Sequence, residues 1–202
     1  MKFADAAALT IHEVKNALAQ LAVQAGVRGD QESEQVCLGA AAALTRLLML
    51  YRSETGQLEL RVDAGSPADL ADELVQGVRS LRDLDWTLET AEAPTLAFYD
   101  VGLVRLVLGT ALDNALRHAH RGVRFSVCSE GAWVVFRIAD DGPGFPPALL
   151  QGDEPVPASR QGTGLGLYLA RLVARAHEHE GRRGDVVLTN DGGACFALRL
   201  PA

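Results

Sequence analysis

Two glycine clusters bracket one stretch of this sequence. Asp140-Asp141-Gly142-Pro143-Gly144 closes a strand-like run, and Gly162-Thr163-Gly164-Leu165-Gly166-Leu167 follows at the start of a helical pattern. Glycines just before a helix let the backbone come close to a ligand, and the free N–H groups of the first turn then point at anionic oxygens, which suits a polyphosphate. The order strand, D-x-G-x-G, loop, G-x-G-x-G, helix is unlike the dinucleotide fingerprint, whose glycines lie between strand and helix with no loop interposed. Either cluster alone reads equally well as a turn, because D-G and P-G are common turn dipeptides; together they are far more specific. A third cluster, Asp113-Asn114-Ala115-Leu116-Arg117-His118, sits on an apolar helical run. Asn114 and His118 share a face with Thr110. An amide on such a helix needs a polar partner, and its carbonyl is a hard-oxygen ligand suited to Mg²⁺, which takes few protein ligands beside phosphates and water. The plainer alternatives are a core amide satisfied by its neighbours and an ordinary partly exposed helix histidine.

The elements that must position these clusters follow from periodicity. Over residues 4–25, Ile11, Val14, Leu18, Leu21 and Ala25 recur at spacings of three and four, and a second stripe of Leu38, Ala41, Leu44, Leu47, Leu48 and Tyr51 runs to about residue 54. Gly26 and Gly29 end the first helix, and Asp30 or Ser33 is the N-cap of the second. Two helices cannot enclose a core, so residues 4–55 are expected to bury their stripe against a copy of themselves as a homodimeric four-helix bundle. A change of period after Gly56 divides the chain into residues 1–56 and 57–202. The second part opens with an alternating strand over residues 57–62 and a helix from Ser66-Pro67 carrying Leu70, Leu74, Val78 and Leu81. Strands are expected near 86–89 and 95–98, a helix over 101–118, and a hairpin of strands at 123–129 and 133–139. A loop without periodicity spans residues 140–166, and a helix near 165–178 and strands at 186–189 and 194–200 complete an α+β domain. Loops of such length are most often lids or binding segments.

Composition bounds the function. The chain has 202 residues, 48% of them hydrophobic, and a net charge of −7. That leaves no basic field for nucleic acid, so a phosphate site must be local. Cys37, Cys128 and Cys195 have no C-x-x-C or metal-ligand spacing and read as small core residues. With no unbroken 18-residue apolar run and no signal-peptide pattern at Met1-Lys2-Phe3, the expectation is a cytoplasmic protein with no membrane span.

In order and spacing, Asn114 within Leu112-Asp113-Asn114-Ala115-Leu116-Arg117-His118, Asp140-x-Gly142-x-Gly144 and Gly162-Thr163-Gly164-Leu165-Gly166-Leu167 resemble the N, G1 and G2 boxes of the histidine kinase ATP-binding domain. Gyrase, Hsp90 and MutL belong to the wider superfamily. The resemblance covers about residues 57–202 and implies a Bergerat-type α/β sandwich. It implies that ATP and Mg²⁺ bind there, with Asn114 holding the metal and Asp140 accepting the adenine amino group. Gly142, Gly144, Gly162, Thr163, Gly164, Leu165 and Gly166 would shape the pocket, and Arg117, His118 and Arg160 would line it, the two arginines meeting terminal phosphates. Likewise, Ile11-His12-Glu13-Val14-Lys15-Asn16-Ala17-Leu18 is similar to the H-box of the family's dimerisation and phosphotransfer domain. By that likeness His12 is the phosphoacceptor, lying one position off the apolar stripe so that its ring faces solvent. Glu13 would accept the other ring proton, and Asn16, one turn on, would position water to dephosphorylate a partner.

The sequence departs from the family pattern in four places. Ala17 stands where a Pro often follows Asn, which leaves the helix straighter. Thr110 stands where a further Asn is expected, a poorer ligand or base. No Phe-x-x-Phe box lies between the glycine clusters, where Leu149, Leu150 and Val156 stand instead. The charges of that loop are Asp153, Glu154 and Arg160. Only eleven residues precede His12, so the chain is expected to be either the core of a longer kinase or a small protein that takes its input from a separate sensor. The leading expectation is a histidine kinase core that phosphorylates itself on His12 and passes the phosphoryl group to an aspartate of a response-regulator receiver domain. One alternative is a histidine phosphotransferase relaying phosphate between receiver domains beside a vestigial ATP domain. Another is a non-catalytic nucleotide-binding regulator of anti-sigma type.

Overall fold

A computed structural model describes residues 3–56, 58–150 and 165–202, with side chains from Thr10 onward. The chain divides into two compact units, Met1–Glu59 and Leu60–Ala202.

The first unit is an antiparallel pair of helices, α1 (Phe3–Val27) and α2 (Gln31–Glu54), packed along each other. Asp30 caps α2 by accepting the Ser33 N–H at 3.1 Å, while Gly29, at φ +72, turns the chain between the helices. The inward face differs from the expected stripe. Ala22, Ala25, Leu48 and Met49 are buried, whereas Val14 and Leu21 are 46% and 47% exposed. The buried positions are small alanines on α1 and large side chains on α2, while other large side chains of both helices lie on the flank. There Val14, Leu21, Val36, Leu38 and Leu47 form unpartnered apolar surface. By length and composition α2 alone among the described helices would also reach across a membrane, although no unbroken apolar run of 18 residues exists and Arg46 falls inside it.

The second unit is a five-stranded sheet with helices on one face. Its strands are β2 (Asp85–Glu92), β4 (Gly122–Glu130), β5 (Trp133–Asp140), β8 (Asp185–Asn190) and β9 (Ala194–Pro201), in spatial order β2-β4-β5-β9-β8. Only β2 and β4 run parallel. Alternation along β4, β5 and β9 sends Phe125, Phe136, Ile138 and Leu198 into the core. They meet α3 (Pro67–Val78), α4 (Val101–His118) and α6 (Leu165–Ala176) through Leu70, Val75, Leu108, Leu112, Leu169 and Val173. Ser66 caps α3 through the Asp69 N–H with Pro67 in the first turn, as the sequence predicts.

Three local expectations change. Of the strand expected over residues 57–62, the described residues 58–62 form none. β1 is only Asp63–Gly65, because its partner β3 (Ala97–Tyr99) offers three residues, and an alternating pattern without a partner cannot form a ladder. The loop after β5 contains a short helix, α5 (Pro147–Leu150), and a small hairpin of β6 (Glu178–His179) and β7 (Arg182–Arg183) follows α6. Cys37, Cys128 and Cys195 are half-buried rather than core, and Cys128 Sγ accepts a hydrogen bond from Arg137 at 3.1 Å.

A polar knot ties the start of α4 to the end of α6. Asp100 accepts the Leu103 N–H at 2.9 Å and the Arg61 N–H at 2.8 Å, and its own N–H donates to Nε2 of the buried His177 at 3.0 Å. Since Nε2 accepts there, Nδ1 carries the proton and donates to the Val173 carbonyl at 2.8 Å. Burial holds the imidazole below its ordinary pKa of 6.5. The unfolded chain therefore binds a proton below about pH 6.5 that the folded chain refuses. Stability is complete above that pH and falls as the pH drops, by up to about 1.4 kcal/mol per pH unit. Urea melts at pH 7.5 and 5.5 should show this loss in the wild type, and His177→Gln should flatten it; an equal loss in the variant would show that His177 is not its source.

Candidate functional site

The glycine-rich loop after β5 is held by backbone crowding. Asp140, at the strand's end, is half-buried, and its Oδ1 accepts the Gly142 N–H at 2.8 Å. Among the described residues this amide is the only donor to that carboxylate. A Cβ on Gly142 would lie 2.4 Å from the His118 carbonyl oxygen, and one on Gly193, in the β8–β9 turn, would lie 1.8 Å from the Asp140 carbonyl oxygen. The end of β5, the end of α4 and the β8–β9 turn thus meet where two side chains, those of Gly142 and Gly193, are missing. Gly144, at φ +81, would place a Cβ within 2.8 Å of the Asn190 carboxamide.

Asp141 fastens this loop to the chain that follows α4. Its carboxylate accepts the N–H groups of His120 at 2.8 Å, Arg121 at 3.0 Å and Gly122 at 3.2 Å, while His120 Nδ1 donates to the Asp141 carbonyl at 2.9 Å. The Arg121 amide leads the donors that hold the carboxyl well below its usual range, at about 2. From the other side the Arg82 guanidinium donates to the Leu116 carbonyl and, at 3.5 Å, to that of Ala119, satisfying the exposed end of α4.

On α4, Asn114, Arg117 and His118 are exposed, with Asn114 and His118 one turn apart. Thr110 Oγ1 donates to the Leu106 carbonyl at 2.8 Å, and its methyl lies 2.8 Å from where a Gly166 Cβ would be. Gly166 thus lets the start of α6, where Leu165 and Gly166 are half-buried, nest against α4. Asp140, Gly142, Gly144 and the end of α4 are brought together, and Gly166 joins the same helix one turn before Asn114. Arg160, Gly162, Thr163 and Gly164 lie outside the described residues, as do Asp153, Glu154 and Val156. His12, Glu13 and Asn16 stand in the first unit, all three exposed on α1. No cluster of three or more His, Cys, Asp or Glu able to hold a metal occurs among the described residues.

Sequence reasoning missed Gly193, Asn190 and Arg82, and gave Asp141 no role of its own within the first glycine cluster. The Gly192-Gly193 pair before the last strand carried a signal, since a glycine that is not needed for the turn itself often marks close backbone approach. Nothing in the linear sequence pairs Asn190 or Arg82 with partners so distant.

This geometry agrees with the comparisons. Residues 99–202 match the family described as histidine kinase-, DNA gyrase B-, and HSP90-like ATPase, and the chain belongs to that family. It is 32% identical over 164 residues to the signal transduction histidine-protein kinase AfsQ2 of Streptomyces coelicolor, covering 77% of this chain and 29% of that protein. It is also 32% identical over 176 residues to the sensor histidine kinase GtrS of Pseudomonas aeruginosa, covering 77% of this chain and 36% of that one. The chain therefore spans about a third of the length of these relatives. In fold it is similar to the Acinetobacter baumannii histidine kinase AdeS, with a TM-score of 0.64 at 19% identity over 93% of this chain and 94% of the other. Full-length ShkA, solved with AMPPNP, gives 0.71 at 20% identity over 96% of this chain and 45% of that one. The chain joins a helical hairpin to a domain of this ATPase family and is similar over about three quarters of its length to sensor histidine kinases, and the ATPase family implies ATP as ligand.

Proposed function

We propose that the second unit binds Mg-ATP and that His12 takes the γ-phosphoryl group and passes it to an aspartate of a response-regulator receiver domain. The observation that carries the pocket assignment is the half-buried Asp140 carboxylate, which has one donor from the described protein and capacity for the amino group of adenine. Asn114 and His118 on the exposed face of α4, with Arg117 beside them, supply an amide oxygen and two basic groups for the phosphate end. Asn114 would hold Mg²⁺, and with no acidic cluster among the described residues the other ligands would be phosphate and water. The bound ion would neutralise charge on the phosphates. Gly162, Thr163, Gly164 and Arg160 are assigned to the same pocket by the motif alone.

In the first unit, His12 offers a solvent-facing ring nitrogen as nucleophile. Glu13 accepts the other ring N–H, which fixes the tautomer, and Asn16 holds water for removal of phosphate from the partner. The unpartnered flank of Val14, Leu21, Leu38 and Leu47 supports a homodimer through residues 4–55. The core is read as cytoplasmic, with its signal arriving from a separate sensor or from a larger protein of which this chain is part.

Titration with a fluorescent nucleotide tests the pocket. Asp140→Asn exchanges a charged acceptor for an amide and should weaken binding by about 10–100-fold, and Asn114→Ala should weaken Mg-ATP more than metal-free ATP. Unchanged binding in both would remove the pocket.

One observation favours a second reading. The Thr110 hydroxyl, where the family pattern has an Asn, is turned back onto the Leu106 carbonyl. The phosphorelay reading, with a weak ATP unit, gains from this. It would prevail if a phosphorylated receiver domain loads His12 while ATP does not.

A further inference from the structure

We propose that Asn190 is a positioning residue for the nucleotide pocket, acting through the backbone of Phe145; this rests on the nucleotide reading above. Asn190 is the last residue of β8, and its carboxamide closes a two-bond ring on a residue far away in the chain. Oδ1 accepts the Phe145 N–H at 2.8 Å, and Nδ2 donates to the Phe145 carbonyl at 3.0 Å. A side chain here does what a neighbouring strand does in a ladder, satisfying both polar groups of one peptide. The preceding residue, Gly144, adopts φ +81, and the space a Cβ would fill is occupied by the same carboxamide at 2.8 Å. Gly144 therefore serves two linked demands, a left-handed backbone and a seat for Asn190.

The consequence is mechanical. The loop that begins at Asp140 is tied at one end by the Asp141 carboxylate to residues 120–122, and at the other by Asn190 to β8. Between the two ties lie Gly142 and Gly144, the stretch of backbone on which the nucleotide is proposed to rest. Cutting the Asn190 tie leaves the sheet and the helical layer intact, because Asn190 itself is exposed and contributes nothing to the core. It frees the far edge of the loop, so the expected effect falls on ligand geometry and not on folding.

Amide hydrogen exchange on the ligand-free protein, resolved by residue, reads the tie directly, and nucleotide titration reads its consequence. Asn190→Ala should speed exchange at the Phe145 amide by about tenfold and weaken binding of a fluorescent ADP analogue by a similar factor, with little change in melting temperature. Asn190→Asp keeps the acceptor for the Phe145 N–H and loses the donor to its carbonyl. With its second oxygen set against the Phe145 carbonyl, it should fall between wild type and the alanine variant in both exchange and affinity, and that partial loss carries the test if the alanine variant does not fold. Unchanged exchange at Phe145, or faster exchange with wild-type affinity, would overturn the role. A wild-type protein that fails to bind nucleotide would instead overturn the underlying reading, whatever the exchange rates show.

Discussion

Replacing His12 by Gln is expected to abolish the acid-labile, alkali-stable label that the protein acquires from γ-labelled ATP and Mg²⁺, while nucleotide affinity stays the same. Phosphoryl transfer to nitrogen needs a lone pair on an exposed, unhindered imidazole. His12 has that exposure on α1, with Glu13 adjacent and Asn16 a turn further on. A glutamine amide nitrogen has its lone pair delocalised into the carbonyl and cannot form the bond, so the loss should be complete rather than partial. The chain has four other histidines, His118, His120, His177 and His179. His177 is excluded as acceptor by its burial and by the engagement of both ring nitrogens. A label that survives His12→Gln would move the assignment to one of the remaining three, and His118, on the N-box helix, would be the first to substitute.

Gly193→Ala should be the most damaging methyl addition among the described glycines of the second unit. Its Cβ would stand 1.8 Å from the Asp140 carbonyl oxygen and 2.8 Å from the Asp141 Cα, both backbone atoms that no rotamer change can withdraw. Overpacking of this kind costs up to about 3 kcal/mol or more, which lowers the melting temperature of a domain of this size by roughly 10 °C. Because the atoms that must yield belong to Asp140 and Asp141, nucleotide affinity should fall more than stability alone explains. Gly192→Ala is the matched control. It sits at φ +71 with no atom near its absent Cβ, so it carries conformational strain without the collision. Scanning calorimetry and titration on the pair decide the matter, and equal behaviour of the two variants would show that the contact with Asp140 is not what selects glycine at position 193.

What the linear chain revealed and what it hid divide along physical lines. Caps are local chemistry, so Ser66-Pro67 and Asp30 announced helix starts that the structure bears out. The helix over residues 101–118 was legible from its apolar density, and the structure ends it at the same residues. The three boxes carried the ATPase kinship because each packs several constraints into a few adjacent positions. Pairing was less visible. Leu58, Leu60 and Val62 alternate like a strand, yet only residues 63–65 find a partner. Val14 and Leu21 share the spacing of Ile11 and Leu18, yet lie on the flank, since which side of a stripe faces inward depends on the helix opposite. Asp100 with His177, and Asn190 with Phe145, join positions remote in the chain, and no local pattern encodes them.

The crowding of peptide groups around Gly142 and Gly193 has a bearing on how fast the pocket fills. Its described floor is wedged in place by the protein's own atoms before anything arrives. An incoming purine would therefore order little of this floor, and the floor adds little to the entropic penalty of capture. Contacts with the floor should then slow association little and show mainly in how long each nucleotide stays.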